Sequence, residues 1–312
     1  MLKRWLRISA GLLLCASFLL KLWTLNLEDF AKHNLWLNLG EDKRIRVIKK
    51  LRGFAVIGDP KNSFIVFPRV LKRLAEDPKV DFVIIVGDLT ESSKVEEYWL
   101  FTQRILNFPK PVLVVPGNHD VRKAGFGWFR KIFGPDNLRV ELGKLCLVLA
   151  DFSNSKRVYP PEFAELDGLL SGCRKRAVVL LHIPPYDPRR GNFTTGHSLR
   201  NPSDSQRLLR ILNRHHVDLV FCSHIHDFLR GRWGRLRFFI TGRAGCDGKG
   251  PPHYLRVTLN RGNLKVEKVE VRVPKALALF DCIMGKVFQI VIWWRRNWIW
   301  LVGLALALIV GL

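Results

Sequence analysis

Five short segments of this chain each place a metal-ligating side chain directly after an apolar run. Asp59 follows Phe54–Ile57 and Gly58. Asp88 stands in Gly87-Asp88-Leu89-Thr90-Glu91. Asn118, His119 and Asp120 follow Gly117 at the end of another apolar run. His182 follows Leu180 and Leu181, and His224 and His226 stand in Ser223-His224-Ile225-His226. Carboxylate, amide and imidazole donors together suit Mn, Fe, Zn or Co better than Mg or Ca alone. Two such ions ~3.5–4 Å apart would clamp the attacking and leaving oxygens of an in-line phosphoryl displacement. Taken singly, each signal is weak. A Gly-Asp after a strand is usually a turn, and a histidine after two leucines is usually a satisfied core side chain. In order, each at the end of a strand, the set is hard to produce by chance.

The elements that must position these residues read as alternating strands and helices over residues 53–273. Apolar runs at Phe54–Ile57, Asp81–Gly87, Pro111–Gly117, Lys144–Ala150, Ala177–Leu181 and Val217–Cys222 predict strands. Phe64–Leu74, Glu96–Leu106, Pro161–Leu170 and Ser203–Asn213 have helical spacing. Continuous apolar runs bounded by helices imply a sheet covered on its outer face. Open α/β sheets place their sites beyond the C-terminal ends of strands, where the polar residues stand. The glycines before Asp88 and Asn118 let the chain turn sharply out of a strand. From Phe228 onward the pattern becomes strand-rich, at Leu236–Ile240, Tyr254–Leu259 and Leu264–Val271.

Over about residues 53–273 the order of these motifs resembles the calcineurin-like metallophosphoesterase superfamily, whose pattern is D-x-H, G-D-x-x-[DE], G-N-H-[DE], H and G-H-x-H. The resemblance implies an α/β fold, a four-layer αββα sandwich. It also implies a hydrolase of phosphoester or phosphoanhydride bonds that uses two divalent metal ions, Mn, Fe, Zn or Co. Asp88 would bridge the two ions. Asp59 and His226 would complete the first site, and Asn118, His182 and His224 the second. His119 would protonate the leaving group or hold a phosphoryl oxygen, and Asp120 would orient it. Two positions depart from the pattern. Lys61 stands where the family has a histidine, which leaves the first site Asp59, Asp88 and His226, with water or Asn62 filling in. Lys61 would instead contact a substrate phosphate. Ser223 replaces the glycine of the last motif, a change tolerated if its φ is below zero.

Lys and Arg number 51 against 27 Asp and Glu, a formal net charge of +24. That excess favours anionic partners. An anionic phosphorylated substrate is expected, with Lys61, Arg122, Arg189 and Arg190 as its contacts. The basic, aromatic stretch Arg122–Phe133 reads either as a lid touching a membrane or as an amphipathic helix packed on the body.

Both chain ends are apolar. Residues 1–30 read as a hydrophobic anchor or interfacial segment, 31–52 as a basic linker, and 274–312 as a membrane-associated segment. Trp298–Leu312 carries no charge and follows a tryptophan- and arginine-rich stretch that resembles an interface belt. Membrane and anionic lipid headgroups are therefore expected partners, with the body at the cytoplasmic face. Nucleic acid is permitted by charge but less natural for a tethered chain without a strand-stacking pattern. The six cysteines form no C-x-x-C pair, and several lie in apolar runs. They read as small buried hydrophobes in a reduced compartment. Three functions follow: a metal-dependent hydrolase of a membrane-associated or lipid-linked phosphoester, a nucleotide phosphodiesterase or nuclease, and a non-catalytic basic membrane scaffold with a degenerate metal site.

Overall fold

Side chains alternate across a strand, so an apolar run buried on both faces divides its residues between two cores. Here one core lies between two sheets. In the first, β1 (Gly53–Ile57), β2 (Phe82–Val86) and β3 (Val112–Val115) are parallel, and β10 (His253–Asn260) and β11 (Asn263–Glu270) add antiparallel beyond β1, giving the order β11-β10-β1-β2-β3. The second contains β4 (Leu138–Leu142), β5 (Leu145–Leu149), β6 (Arg176–Leu180), β7 (Leu219–Cys222), β8 (Leu229–Trp233) and β9 (Leu236–Ile240), in the order β4-β5-β6-β7-β9-β8. Phe54, Val56, Phe82, Ile84 and Val86 meet Leu147, Leu149, Val178, Leu180 and Phe221 in the core between them. Phe54 stacks on Phe82 at 5.3 Å and meets Phe221 edge-on at 6.3 Å.

The alternate residues of the second sheet, among them Cys146, Val148, Val179, Leu181 and Val220, face outward. There they pack against Phe163, Leu166 and Leu170 of α5 (Pro160–Ser171) and Leu208 and Leu212 of α6 (Pro202–Arg214). Helices α2 (Val66–Ala75) and α3 (Val95–Leu106) join through Phe67 and Phe101, stacked at 5.8 Å. The result is two facing sheets flanked by helices.

The computed structural model describes residues 32–297 apart from 124, 192, 249, 261 and 262, together with 9, 11, 12, 14–16, 19, 27, 30, 299, 300, 302, 303 and 307. It divides into one unit at Asn34–Cys282 and another at Met1–His33 with Ile283–Leu312. The N-terminal anchor expected over 1–30 and the charge-free tail from 298 lie largely outside the described residues. A helix of 22 residues, α7 (Lys275–Arg296), is long and apolar enough to cross a membrane. Leu279, Phe280, Ile283, Ile290 and Trp293 are exposed on it.

Two sequence expectations change, and one open alternative is decided. The stretch expected to be a basic linker contains α1 (Leu37–Arg46), and the buried Asn38 amide bonds both the N–H (2.9 Å) and the C=O (3.0 Å) of Val114 on edge strand β3. An edge strand presents unpaired backbone groups that need a cover, and α1 supplies it. The basic, aromatic stretch is a packed helix rather than a lid: α4 (Gly125–Phe133) buries Phe129, Ile132 and Phe133, the last against Tyr98 and Phe101. Four cysteines pair, contrary to their reading as separate hydrophobes. Cys146 bonds Cys173 and Cys246 bonds Cys282, with Cα atoms 5.8 and 5.5 Å apart. Cys146 and Cys173 are 27 residues apart, so no local spacing announces the pair.

Candidate metal centre

Each strand of the site ends in a turn that only certain residues allow. Gly87 has φ +83°, and a Cβ there would lie 2.4 Å from Nδ1 of His182 and 2.8 Å from Cα of Gly117. Gly117 packs as closely in return, since its Cβ would lie 2.1 Å from the amide nitrogen of Asp88. These two glycines let the Asp88 and Asn118 loops approach each other and His182. The left-handed backbone continues through non-glycine residues: Asp59 (φ 54°), Lys61 (42°), Asp88 (54°), His224 (70°) and His226 (56°). Such conformations cost energy and concentrate where function over-determines the backbone. Ser223 is not among the positive-φ residues.

The turns bring two donor sets together. Asp59, Asp88 and His226 place ligand atoms within 4.8 Å of one another, with Nε2 of His226 3.5 Å from Oδ1 of Asp59. Beside them, Nε2 of His182 lies 3.1 Å from Oδ1 of Asn118 and 3.2 Å from Oδ1 of Asp88. The ring of His224 meets that of His182 edge-on, centroids 5.1 Å apart. Nδ1 of His182 lies 2.8 Å from the carbonyl of Val86. That partner assigns the proton to Nδ1 and leaves the Nε2 lone pair facing Asn118 and Asp88. Asp59, Asp88, His226, His182 and Asn118 thus lie together through these contacts, and His224 adjoins them by its ring contact with His182.

The electrostatics describe a centre that wants a cation. Oδ1 of Asp59 and Oδ2 of Asp88 are buried without a hydrogen-bond partner. Burial raises the Asp59 carboxyl, opposed by His182, Ser223 and Lys61. Burial and the Asp59 charge raise Asp88 to about 6. Burial also depresses the imidazoles, His182 and His226 each to about 4, and His224 further, with neighbouring histidines adding to the fall. Neutral imidazoles and carboxylates lacking partners are the forms that bind a divalent ion. The residues fit one.

Lys61 sits at this centre with only 11% of its side chain exposed. Burial alone would depress its ammonium, but Asp88, Glu91, Asp247 and Asp59 push it up to about 12. It is therefore a fixed positive charge. His119 is held by unexpected partners. Its Nδ1 lies 2.7 Å from the carbonyl of Glu91, and its Nε2 lies 3.0 Å from Nη2 of Arg122. Asp120 does not orient that ring. Its buried carboxylate accepts from the N–H groups of Gly117 (2.8 Å), Leu89 (3.1 Å) and Thr90 (2.9 Å), and so ties the Asp88 loop to the Asn118 loop. Burial and the Asp88 charge raise that carboxyl to about 7.

Of the arginines expected at substrate, Arg122 lies against His119, whereas Arg189 grips buried Asp187 through Nε (2.9 Å) and Nη2 (2.7 Å). Arg190 is exposed on the same short turn, Pro188–Arg190. Sequence reasoning missed three contributors. The Ser223 hydroxyl lies against Oδ2 of Asp59 and the carbonyl of Thr241 (2.7 Å), so the replaced glycine supplies an orienting contact. His197 stacks on His224 with centroids 4.1 Å apart, its own N–H donating to Asp187 at 3.0 Å. Asp247 bonds Lys61. Only the motif glycine's replacement was visible in the sequence; the other two lie on loops without a motif.

Residues 53–228 match the family profile of the calcineurin-like phosphoesterases. Among curated relatives, the 3',5'-cyclic adenosine monophosphate phosphodiesterase CpdA of Haemophilus influenzae is 38% identical over 226 residues, covering 66% of this chain and 77% of that protein. CpdA of Escherichia coli is 27% identical over 58% of this chain, which spans 66% of that enzyme's length, just under two-thirds. A glycerophosphodiester phosphodiesterase, GpdQ of Enterobacter lignolyticus, is 25% identical over 50% of this chain and 59% of its own. The same fold occurs in the purple acid phosphatase PPD1 of yellow lupin, at 12% identity and a TM-score of 0.57 over 72% of this chain and 53% of that one. It occurs again in TT1561 of Thermus thermophilus, at 16% identity and a TM-score of 0.53 over 72% and 100%. With the family's motifs at the strand ends and its profile over more than half the sequence, this chain is a member of the calcineurin-like phosphoesterase family.

Proposed function

We propose that this chain is a two-metal phosphodiesterase whose substrate is a phosphodiester carried at a membrane surface. Asp59, Asp88 and His226 would hold one divalent ion; Asp88, Asn118, His182 and His224 would hold the other. When bound, the ions would supply Lewis acidity toward the phosphoryl group and an activated water. The protein's own groups do the rest. The Lys61 ammonium meets a non-bridging phosphoryl oxygen. His119 and Arg122 are drawn together beside the Asp88 loop: Nδ1–H of the neutral imidazole donates to the Glu91 carbonyl, Nε2 accepts from Arg122, and the guanidinium so held would meet the departing oxygen. Asp120 keeps the two ligand loops in register and touches no substrate.

The observation that carries the membrane part of this reading is where α7 leaves the domain. Oδ1 of Asp281 accepts from the N–H groups of Phe64 (2.5 Å) and Ile65 (2.9 Å), a few residues past Lys61. The next residue, Cys282, is bonded to Cys246, beside Asp247. Asp281 and Cys282 thus tie the early turns of an apolar helix to the loops that hold Lys61, which supports a substrate presented at a bilayer. The relatives named above favour a second reading, a soluble cyclic nucleotide as substrate. Manganese-loaded full-length protein should hydrolyse a phosphodiester lipid in vesicles at least about ten-fold more efficiently than cyclic AMP, ~1.4 kcal/mol in transition-state terms. Equal or better turnover of the cyclic nucleotide, with the vesicle substrate untouched, would establish the second reading instead.

A further inference from the structure

Lys61 does not stand alone at the mouth of the centre. Its ammonium lies 3.1 Å from Oδ2 of Asp247 and 3.5 Å from Oε2 of Glu91. Asp247 belongs to the connection between β9 and β10. That connection is wrapped on Arg243, whose guanidinium donates to the carbonyls of Cys246, Asp247, Gly248 and Gly250. Cys246, one residue before Asp247, is disulfide-bonded to Cys282 of α7. Asp281, one residue before Cys282, holds the backbone at Phe64, Ile65 and Val66. Consecutive residues of one helical turn therefore anchor both partners of the Lys61–Asp247 pair.

A lysine stem has four rotatable bonds, and its ammonium is a point charge that follows the nearest carboxylate. Asp59, two residues earlier in the chain, and Asp88, whose carbonyl accepts from the Lys61 backbone N–H (3.0 Å), both lie beside its stem. An ammonium resting on those two would block the oxygens left open for a metal. Asp247 draws it the other way, toward the rim.

We propose that Asp247 is a positioning residue that holds the Lys61 ammonium over the Asp59–Asp88–His226 site to meet a phosphodiester oxygen, and that the Cys246–Cys282 disulfide holds Asp247 in place. This rests on the phosphate role of Lys61 given above. In the full-length, manganese-loaded protein acting on bis-p-nitrophenyl phosphate, Asp247→Asn should raise KM by about ten-fold, the scale of one hydrogen bond to a charged group, with kcat little changed. In a Lys61→Met background the same substitution should move KM by less than about two-fold, because the two residues act as one unit. Cys282→Ser, and the wild type treated with a reductant, should shift KM in the direction of Asp247→Asn and add nothing to it.

A second measurement needs neither metal nor turnover. Acylation of Lys61 by acetic anhydride, followed by mass spectrometry on the metal-free protein, should be faster in Asp247→Asn and in Cys282→Ser than in the wild type. Equal KM shifts with and without Lys61, or an unchanged acylation rate, would overturn the proposal. A wild type that hydrolyses no diester would defeat the functional reading, while acylation would still report whether Asp247 holds Lys61.

Discussion

Asp59 divides its carboxylate between two duties. One oxygen lies against the Ser223 hydroxyl, and the other is buried and open toward His226. Partners that orient a ligand commonly govern metal affinity by ten-fold or more, so Ser223→Gly should weaken the first ion by about ten-fold in a calorimetric manganese titration. Lys61→His should act oppositely, tightening that site by about ten-fold by replacing a repelling ammonium with a ligand, or ~1.4 kcal/mol. Two sites already equal in the wild type and unmoved by either substitution would show that neither side chain tunes the centre. Asp88→Asn should cut kcat by more than about ten-fold, ~1.4 kcal/mol, since one carboxylate serves both donor sets; a folded variant with wild-type turnover would refute the shared role. The donor residues were legible because each follows an apolar run. The partner of His119 was not. The resemblance implied Asp120, but its carboxylate faces Gly117, Leu89 and Thr90, and a backbone carbonyl took the ring instead.

At the scale of elements, the least legible feature was how distant segments cap one another. The N-cap residue of α2, Ile65, offers no capping side chain; Asp281, 215 to 217 residues away, accepts from the N–H groups of Phe64, Ile65 and Val66, and the Ser63 hydroxyl from that of Phe67. A fragment ending at residue 273 loses that cap and the Cys246–Cys282 bond, whereas one ending at 282 keeps both. Urea unfolding of residues 34–282 should therefore give a stability about 2 kcal/mol or more above that of 34–273, the worth of charge-assisted hydrogen bonds. Asp77 makes a similar long-range tie. Its buried carboxylate takes the Tyr254 hydroxyl (2.5 Å) and Nε of Arg256 (2.7 Å), joining the end of α2 to β10. Burial would raise it, yet those partners lower it below its ordinary value. A depressed folded pKa gives stability that is complete above the unfolded value and lost as pH falls through the folded one. Asp77→Asn should thus cost about 2 kcal/mol at pH 7, and the gap from the wild type should close as the melt is taken below about pH 4. A gap independent of pH would mean the charge contributes nothing. The linker reading did not anticipate α1 for a related reason: the basic residues describe its outer face, while Asn38, which does the docking, looks like any polar residue.

For the whole molecule, the sheets were readable because their strands are continuous apolar runs, and the cysteine pairs were not, because disulfide connectivity is a matter of distance in space. Two disulfides within Asn34–Cys282 count against a reducing surrounding. Mass spectrometry after alkylation in non-reducing denaturant should label only Cys15 and Cys222, the two that are free; labelling of Cys146 or Cys246 in freshly isolated protein would return the body to the reduced side. The five left-handed residues of the centre reach further. Each holds a conformation that costs about 1 kcal/mol or more, and two of the carboxylates they carry are short of partners. Without an ion, the turns at 59–61, 88 and 224–226 should thus open more readily than the buried strands they terminate. Amide hydrogens there should exchange with deuterium sooner than those of β2 or β6, and manganese should slow them selectively, because an ion that binds only the closed form suppresses its opening. The ion would then act as the last piece of the fold as well as the first requirement of the chemistry.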